Sequence, residues 1–333
     1  MNRKLFITAL AAMLGLCSLK SHADHDTPEN CVIELRHQMD SAISLKQKKQ
    51  ILEKLEQAGT FQAMICAGQQ MDNYRLRKAA AKAAAHIALQ HPEYNGMNTR
   101  MLLLAAKPYV SKKEREAIDE FFRKDDASEE GFVSLFNGKD LKGWKGLVAN
   151  PIARRKMTAA ELEEAQEKAD VLMHENWQVI DGLLTYVGHG GDNLCTERQY
   201  EDFEMYVDWR LDPSGAEPDA GIYLRGTPQV QIWDIARVNV GAQVGSGGLY
   251  NNQKNKSIPT EVADNKLGEW NTFYIKMVGD KVTVLLNGVK VVDNVVLENY
   301  WDRSQPIFPK EQIELQAHGS LVNYRDIYIR EIK

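Results

Sequence analysis

The sequence predicts a small all-α helical domain followed by an all-β jelly roll, an antiparallel β-sandwich with one inserted helix. Between about Cys31 and Lys124, apolar residues recur every three or four positions, which is the period of amphipathic helices. From Gly131 the period changes to two, and short strand-like runs alternate with turn residues such as Asn287-Gly288. The length of 333 residues is enough for two domains, because a single core rarely grows beyond about 250 residues.

Residues 1–23 have the pattern of a cleavable signal peptide. Two basic residues precede an apolar run from Leu5 to Leu16, and Ser21-His22-Ala23 fits the small-x-small cleavage rule. The run is too short to cross a bilayer, and no later segment reaches about 18 consecutive apolar residues. We therefore expect a periplasmic or secreted protein, of the kind exported by Gram-negative bacteria, with no membrane span.

The charge balance argues against nucleic acid as a partner. The chain has 41 basic and 46 acidic residues and a formal net charge of -5. The basic residues form no stripe that would follow a phosphate backbone, so we expect no nucleic-acid binding.

Three of the four cysteines, Cys31, Cys66 and Cys195, lie beyond the signal peptide. An oxidising compartment permits a bridge between Cys31 and Cys66, although the sequence leaves open whether their separation suits one. A catalytic thiol needs a polarising partner, and a cysteine within a strand more often packs in the core. We therefore expect Cys195 to be structural.

Residues 24–125 are predicted to form an α-helical, HEAT-like domain of short amphipathic helices. Gly59 is a helix stop, and Ser111-Lys112-Lys113-Glu114 matches a capping box that opens the last helix. The Ala-rich segment from Leu76 to Leu89 indicates that helices approach each other closely. No pattern in this domain is typical of catalysis, so we expect it to dock a protein partner or to act as a spacer.

The polar residues 126–130 are predicted to link this domain to a jelly roll over 131–333. Thr158-Ala159-Ala160-Glu161 matches a capping box and predicts an inserted helix that ends near His174. The other runs predict the strands of the sandwich, which are 132–136, 177–180, 183–187, 193–196, 203–211, two strands within 221–234, 272–278, 281–286, 289–293, 312–318 and 322–332.

The predicted hairpin at 221–234 concentrates polar and aromatic side chains among strand-forming residues. We predict its turn at Gly226-Thr227-Pro228. Planar hydrogen-bonding groups beside aromatic rings suit a sugar, because they match its hydroxyls and its apolar side. A solvated face of an edge hairpin stays the alternative. Alternation places the following side chains on one face of their strands: Tyr223 and Arg225, then Gln229, Gln231 and Trp233.

Two further strands add polar candidates. Asp208 and Arg210 lie on the polar side of strand 203–211, and the polar side of strand 312–318 carries Glu314, Gln316 and His318.

Three candidates do not fit simple alternation. Arg325 lies on an otherwise apolar face and needs a partner, for which Asp208 or Asp234 is available. Asp234 is on the face away from Gln231, so either a bulge turns it inward or it is structural. The glycine-rich loop 244–252 carries Tyr250 either over a sugar cleft or at a plain surface.

The histidines form no H-x-x-H or H-E-x-x-H pattern. The sequence leaves open a divalent metal ion held by Asp, Glu, Gln and His side chains from different strands.

A series of motifs runs along residues 131–333, and with them this region resembles the 3-keto-disaccharide hydrolase domain family. The motifs include Leu135-Phe136-Asn137-Gly138, Asp202-Phe203-Glu204, Gly221-Ile222-Tyr223-Leu224-Arg225-Gly226, Val230-Gln231-Ile232-Trp233-Asp234, Gly245-Ser246-Gly247-Gly248-Leu249-Tyr250, Leu315-Gln316-Ala317-His318-Gly319 and Tyr324-Arg325-Asp326-Ile327.

The resemblance implies a concanavalin A-like jelly roll that acts on glycosides oxidised to a ketone at C3. Such a ketone acidifies the proton on C2, so a base can start a β-elimination that releases the aglycone from C1. Water can later add back, which gives net hydrolysis. The residues expected to act on the substrate are His318 as base, Asp208 or Asp234 as its orienting group or as acid, and Arg225 or Arg325 beside the enolate. Substrate binding is expected from Gln231, Gln316, Tyr250, Trp233, Tyr223 and Arg210.

A carbohydrate-binding module on a helical adaptor stays the alternative, since this fold also builds lectins. Ordinary retaining hydrolysis needs two suitably spaced carboxylates, and Gln229 and Gln231 stand where an E-x-D-x-E strand would carry acids.

Overall fold

The computed structural model describes residues 27–124, 131–188 and 193–333. It divides into two compact units, Met1–Val133 and Ser134–Lys333. The predicted signal peptide and the predicted linker at 126–130 lie outside the described residues. None of the helices that are described is long and apolar enough to cross a membrane.

The described part of the first unit is helical, as predicted. Gly59 ends a helix with a left-handed φ of 66°, and Ser111 and Glu114 form the two reciprocal hydrogen bonds of the predicted capping box. The helices are α1 (Pro28–Ser41), α2 (Leu45–Ala58), α3 (Phe61–Gln69), α4 (Arg77–Gln90), α5 (Met97–Ala106) and α6 (Lys112–Lys124).

The Ala-rich helix α4 is the centre of this unit. It packs against α2, α3, α5 and α6, and six of its seven alanines are buried. Cys66, on α3, is a buried thiol, whereas Cys31 is disulfide-bonded. The structure therefore does not form the bridge between Cys31 and Cys66 that the sequence permits.

The second unit is an antiparallel β-sandwich with one long inserted helix, which confirms the predicted jelly roll. Its strands, with β1 at the boundary between the units, are β1 (Val133–Ser134), β2 (Trp144–Gly146), β3 (Trp177–Ile180), β4 (Leu183–Tyr186), β5 (Leu194–Thr196), β6 (Phe203–Leu211), β7 (Asp219–Leu224), β8 (Thr227–Trp233), β9 (Asn271–Val278), β10 (Lys281–Leu286), β11 (Val289–Val296), β12 (Glu314–Leu315) and β13 (Val322–Glu331).

Two sheets form the sandwich. The first sheet has the path β11-β10-β9-β6-β13-β4-β3, and the second sheet has the order β2-β5-β12-β7-β8. Alternate residues of each strand enter the core between the sheets, for example Phe203, Met205 and Val207 from β6 and Ile222 from β7. The intervening residues form the outer faces of the two sheets.

Two helices precede β3. The short helix α7 spans Pro151–Arg154 and was not predicted, while α8 spans Ala159–Asn176 and begins with the predicted capping box of Thr158 and Glu161. Helix α8 packs against β2, at the edge of the second sheet.

The turn between β7 and β8 differs from the prediction. The turn residues are Arg225 and Gly226, both with positive φ, of 50° and 66°, whereas Thr227 and Pro228 belong to β8. Positive φ at both central residues gives the type I′ geometry that fits the twist of a two-residue hairpin.

Candidate functional site

The outer face of the second sheet carries three rows of polar side chains, and we call this surface the polar face. In the first row, Glu314 pairs in register with Cys195 on one side and Tyr223 on the other. In the second, Gly221 pairs with Gln231, and its carbonyl accepts a hydrogen bond from the backbone N of Gln316. The third row contains Asp219 and Trp233, which are also register partners.

Glu314 is the acid at the centre of the first row and is 1% exposed. Its carboxylate accepts one long hydrogen bond, of 3.4 Å, from the Asn193 side chain. Burial raises the pKa of Glu314 to about 7, against the opposing charge of Arg154 and the Asn193 hydrogen bond. A carboxyl group with such a pKa can donate or accept a proton near neutral pH.

Tyr223 is the neighbour of Glu314 on β7. Burial and the Glu314 charge raise the pKa of Tyr223 to about 12, so its phenol keeps its proton and serves as a hydrogen-bond donor. A hydrogen bond with the Asn193 side chain lowers the pKa of this phenol, whereas the charge of Tyr300 raises it. Tyr300 is 42% exposed and packs edge-on against Trp301, which places an aromatic ring near the first row.

Three glutamines surround Gly221 in the second row. A Cβ atom at Gly221 would lie 2.7 Å from Cδ of Gln229 and 3.0 Å from Oε1 of Gln316. Gln229 donates to Gln231, which in turn donates to Asp219 Oδ1 over 2.7 Å. Gln316 Oε1 is buried and has no hydrogen-bond partner among the described residues. An amide that is buried without a partner is available to a ligand.

His318 and Asp219 lie together at the third row. Burial raises the pKa of Asp219, and the charge of His318, the Gln231 hydrogen bond and Arg237 oppose this shift. Nη1 of Arg237 lies 3.4 Å from Oδ2 of Asp219. Within the described part of the chain, the buried Nδ1 of His318 has no hydrogen-bond partner. The imidazole thus has a carboxylate nearby and one nitrogen whose hydrogen-bonding capacity is unused by the described residues.

Trp233 and Tyr250 meet at the end of this face. Their rings pack edge to face, with centroids 5.0 Å apart, and the Tyr250 side chain is half exposed. The glycine-rich loop that carries Tyr250 also bridges to β8, where Leu249 pairs with Val230. The structure therefore brings together Tyr223, Gln231, Trp233, Tyr250, Gln316 and His318.

Three other predicted residues lie on the outer face of the first sheet instead. Asp208 accepts from Arg325 Nε over 3.1 Å and from Thr272 Oγ1 over 2.6 Å. The Trp270 ring lies beneath both Arg325, at 3.9 Å, and Arg210, at 4.8 Å. The expectation that Asp208 and Arg325 work beside His318 is thereby corrected, because β6 and β13 belong to the other sheet.

Arg225 does not share the face of Tyr223, because it occupies the turn. The residue is 2% exposed, and its guanidinium donates to Pro309 O over 2.9 Å. Burial lowers the pKa of Arg225, and the charges that oppose this shift are those of Asp202, Glu201 and Asp280. None of these residues belongs to the polar face.

Asp234 is a turn residue. Its Oδ1 accepts from the backbone N of Ala236 over 3.0 Å, and its own backbone N donates to Pro218 O. Of the two alternatives, the structure shows the structural one, in which the carboxylate stabilises the turn after β8.

Across the described ranges, no group of three or more His, Cys, Asp or Glu side chains is placed to hold a metal ion. Cys195 is buried, and burial raises the pKa of its thiol to about 12, so it stays protonated as expected of a structural cysteine.

Several residues of the polar face were missed as site candidates. Glu314 was placed on the polar side of its strand, but its burial depends on neighbouring strands and has no sequence signal. Asp219 lies just before the predicted hairpin, so the alternation of that hairpin, extended by two residues, would have found it. Asn193 and Tyr300 lie outside regular strands.

A β-sandwich whose outer face presents amide, carboxyl, imidazole and aromatic groups has the side-chain types that bind sugars. The sequence defines the family. The model of the 3-keto-alpha-glucoside-1,2-lyase-like domain matches residues 131–330, and the chain belongs to that family.

Comparisons with solved structures are more distant. A Parabacteroides distasonis protein provisionally described as a glycosyl hydrolase is 21% identical, with a TM-score of 0.44, covering 63% of this chain and 97% of its own. A second such protein from the same organism is 23% identical, with a TM-score of 0.43, covering 60% and 99%. The carbohydrate-binding module CBM66 from Bacillus subtilis is 10% identical, with a TM-score of 0.33, covering 46% and 91%. No curated protein sequence matches significantly, so the family assignment rests on the family model.

Proposed function

We propose that the protein cleaves the glycosidic bond of 3-keto-glycosides at the polar face, by β-elimination or with net hydrolysis. The observation that carries the proposal is the presence on one face of two ionisable centres, Glu314 with Tyr223 and His318 with Asp219. The glutamines around Gly221 lie between these centres and would hold the sugar hydroxyls.

His318 is the proposed base, and the negative charge of the nearby Asp219 would stabilise the imidazolium that forms. The imidazole removes the proton from C2, and the electrons of that C–H bond form the C2–C3 double bond of an enolate. The negative charge rests on the C3 oxygen, to which Nε2 of the Gln316 amide would donate a hydrogen bond, while the unpartnered Oε1 would accept one from a sugar hydroxyl.

Glu314 is the proposed acid. The enolate reforms the C3 ketone, a double bond forms between C1 and C2, and the C1–O bond breaks with its electron pair on the aglycone oxygen. Glu314 gives that oxygen its proton, for which a pKa of about 7 is well suited. Addition of water across C1 and C2, with the hydroxyl on C1, completes net hydrolysis.

A chromogenic 3-keto-glucoside tests the proposal, with the unoxidised glucoside as substrate control. We expect the mature chain to release the aglycone from the oxidised substrate alone, and His318→Ala and Glu314→Gln each to lower kcat/KM by about 10²- to 10⁴-fold. Deuterium at C2 should slow the wild type if proton abstraction limits the rate.

His174→Ala and Glu269→Gln, which change exposed side chains of the same unit, are the matched controls and should retain activity. If the protein binds the oxidised sugar but does not cleave it, with or without added divalent metal, the proposal of an enzyme is wrong and the domain is a carbohydrate-binding module.

A further inference from the structure

A cavity of about 370 Å³ opens at the edge of the second sheet, beside the polar face. This volume is within the range of small-molecule sites, which is roughly 300–1,000 Å³. Lys145 and Cys195 belong both to the cavity lining and to the first row of the polar face, because Cys195 pairs in register with Lys145 and with Glu314. The cavity therefore continues the row that contains Glu314.

The cavity lining is strongly basic. It contains Lys145, Arg154, Arg155 and Lys310, against the single carboxylate of Glu311.

The Glu311 carboxylate already forms ion pairs with both arginines of the lining. Arg154 donates to Glu311 over 3.1 Å, and Arg155 lies 3.6 Å from the other carboxylate oxygen. The Gln199 side chain donates to Glu311 as well, over 3.0 Å. The single negative charge of Glu311 is thus shared between the guanidinium groups of Arg154 and Arg155.

The two lysines are not neutralised in this way. In the part of the chain that the structure describes, neither Lys145 nor Lys310 makes an ion pair. The nearby carboxylate of Asp170 accepts hydrogen bonds from the backbone N of Gly146 and from the Gln166 side chain, over 2.9 Å each. The cavity therefore retains a surplus of positive charge.

Apolar side chains complete the lining. Leu147 and Val148, which follow β2, and Leu162 on α8 face the same space. A ligand that fits both parts has an apolar ring or a sugar body and carries an anionic group.

We propose that this cavity binds the aglycone of the substrate and selects an aglycone that carries a carboxylate. The assignment of the cavity to the aglycone rests on the proposed function, since a Glu314 that protonates the leaving oxygen has the sugar on one side and the aglycone on the other. An aglycone bound beside Glu314 would then extend along the first row, past Cys195 to Lys145.

Binding of unoxidised glycosides tests the selectivity without requiring turnover. Calorimetry would compare 4-carboxyphenyl glucoside with phenyl glucoside on the full mature chain. We expect the carboxylate to bind about tenfold more tightly, equivalent to about 1.4 kcal/mol, and this advantage to shrink as salt is added. A glucoside with a uronic acid as aglycone, compared with its neutral counterpart, shows whether acidic sugars share the preference with aromatic acids.

The double variant Lys145→Met/Lys310→Met should abolish the preference, while Lys281→Met, which removes an exposed lysine from β10, should retain it. Equal affinity for the two phenyl glucosides, or a preference that survives in the double variant, overturns the inference. Failure to cleave 3-keto-glycosides would instead overturn the proposed function, and the carboxylate preference of the cavity would stand as a binding property.

Discussion

The outer faces of the two sheets carry similar residue types but differ in how many of their polar atoms have partners. On the first sheet, both oxygens of Asp208 accept hydrogen bonds, and Arg325 lies on the Trp270 ring. On the second sheet, buried atoms of Gln316 and His318 lack partners among the described residues. Buried polar groups in folded proteins are nearly always satisfied, so the unpartnered atoms of Gln316 and His318 offer hydrogen bonds that a ligand on this face would complete.

The carboxyl groups of the two faces also differ in their charge state. Asp208 is paired with Arg325, whereas burial raises the pKa of Glu314 to about 7 in spite of the opposing charge of Arg154. A paired carboxylate stabilises the fold, while an unpaired one is retained at a cost in stability. Such a cost is common at functional sites.

The largest expected effect on stability is at Glu314. Its pKa rises from 4.5 to about 7 on folding, so the folded state holds the proton more tightly between these values, and stability falls as pH rises through them. The difference corresponds to about 3 kcal/mol. Glu314→Gln should therefore be more stable than the wild type at pH 7.5 by about that amount, but not at pH 4, as measured by urea unfolding.

Glu269→Gln, at an exposed position, controls for the loss of one charge and should follow the wild type at both pH values. If the difference in unfolding free energy between Glu314→Gln and the wild type is the same at pH 4 and pH 7.5, the pKa of Glu314 is not raised by burial.

Asp208→Asn should act in the opposite way, through stability alone. The substitution leaves the Arg325 guanidinium without its carboxylate on a largely buried face, which should lower the free energy of unfolding by about 2 kcal/mol. Turnover per folded molecule should stay within about twofold of the wild type, because Asp208 lies on the outer face of the first sheet and not on the polar face. Denaturation and initial rates on the same samples measure both quantities.

The double variant Asp208→Asn/Arg325→Met removes both charges and should recover part of the lost stability. A large loss of turnover in folded Asp208→Asn would place the first sheet in the reaction after all.

The fold was largely predictable because its signals are local. The change of hydrophobic period near Gly131 separated helices from strands, and the capping boxes at Ser111 and Thr158 fixed two helix starts. The β7–β8 turn was misplaced because Gly226-Thr227-Pro228 contains turn residues, while a two-residue turn instead required positive φ at Arg225.

The site was only partly predictable, because alternation determines the face of a strand but not the sheet to which the strand belongs. Alternation placed Gln231 on one face of the hairpin and Gln316 and His318 on one side of their own strand, but it did not indicate that these strands are neighbours in one sheet. Asp208 and Arg325 were expected beside His318, whereas β6 and β13 pair in the other sheet through contacts distant in sequence. The burial that makes Glu314 a weak acid arises in the same way.

Gly221→Ala should have the smallest effect, because it changes the polar face without removing a polar group. The φ of Gly221 is not in the left-handed region, so alanine is tolerated by the backbone, but its Cβ would displace the Gln229 and Gln316 amides. We expect KM for a 3-keto-glycoside to rise about tenfold, equivalent to about 1.4 kcal/mol of binding, with a smaller change in kcat. Gly279→Ala, at a turn of the first sheet where a Cβ meets nothing within 4 Å, changes the same residue type away from the face; its φ of +59° makes alanine costly to stability, but KM should stay at the wild-type value. If Gly221→Ala and Gly279→Ala have the same KM, the glutamines around Gly221 do not hold the sugar, and substrate binding must depend on the two ionisable centres at either end of the face.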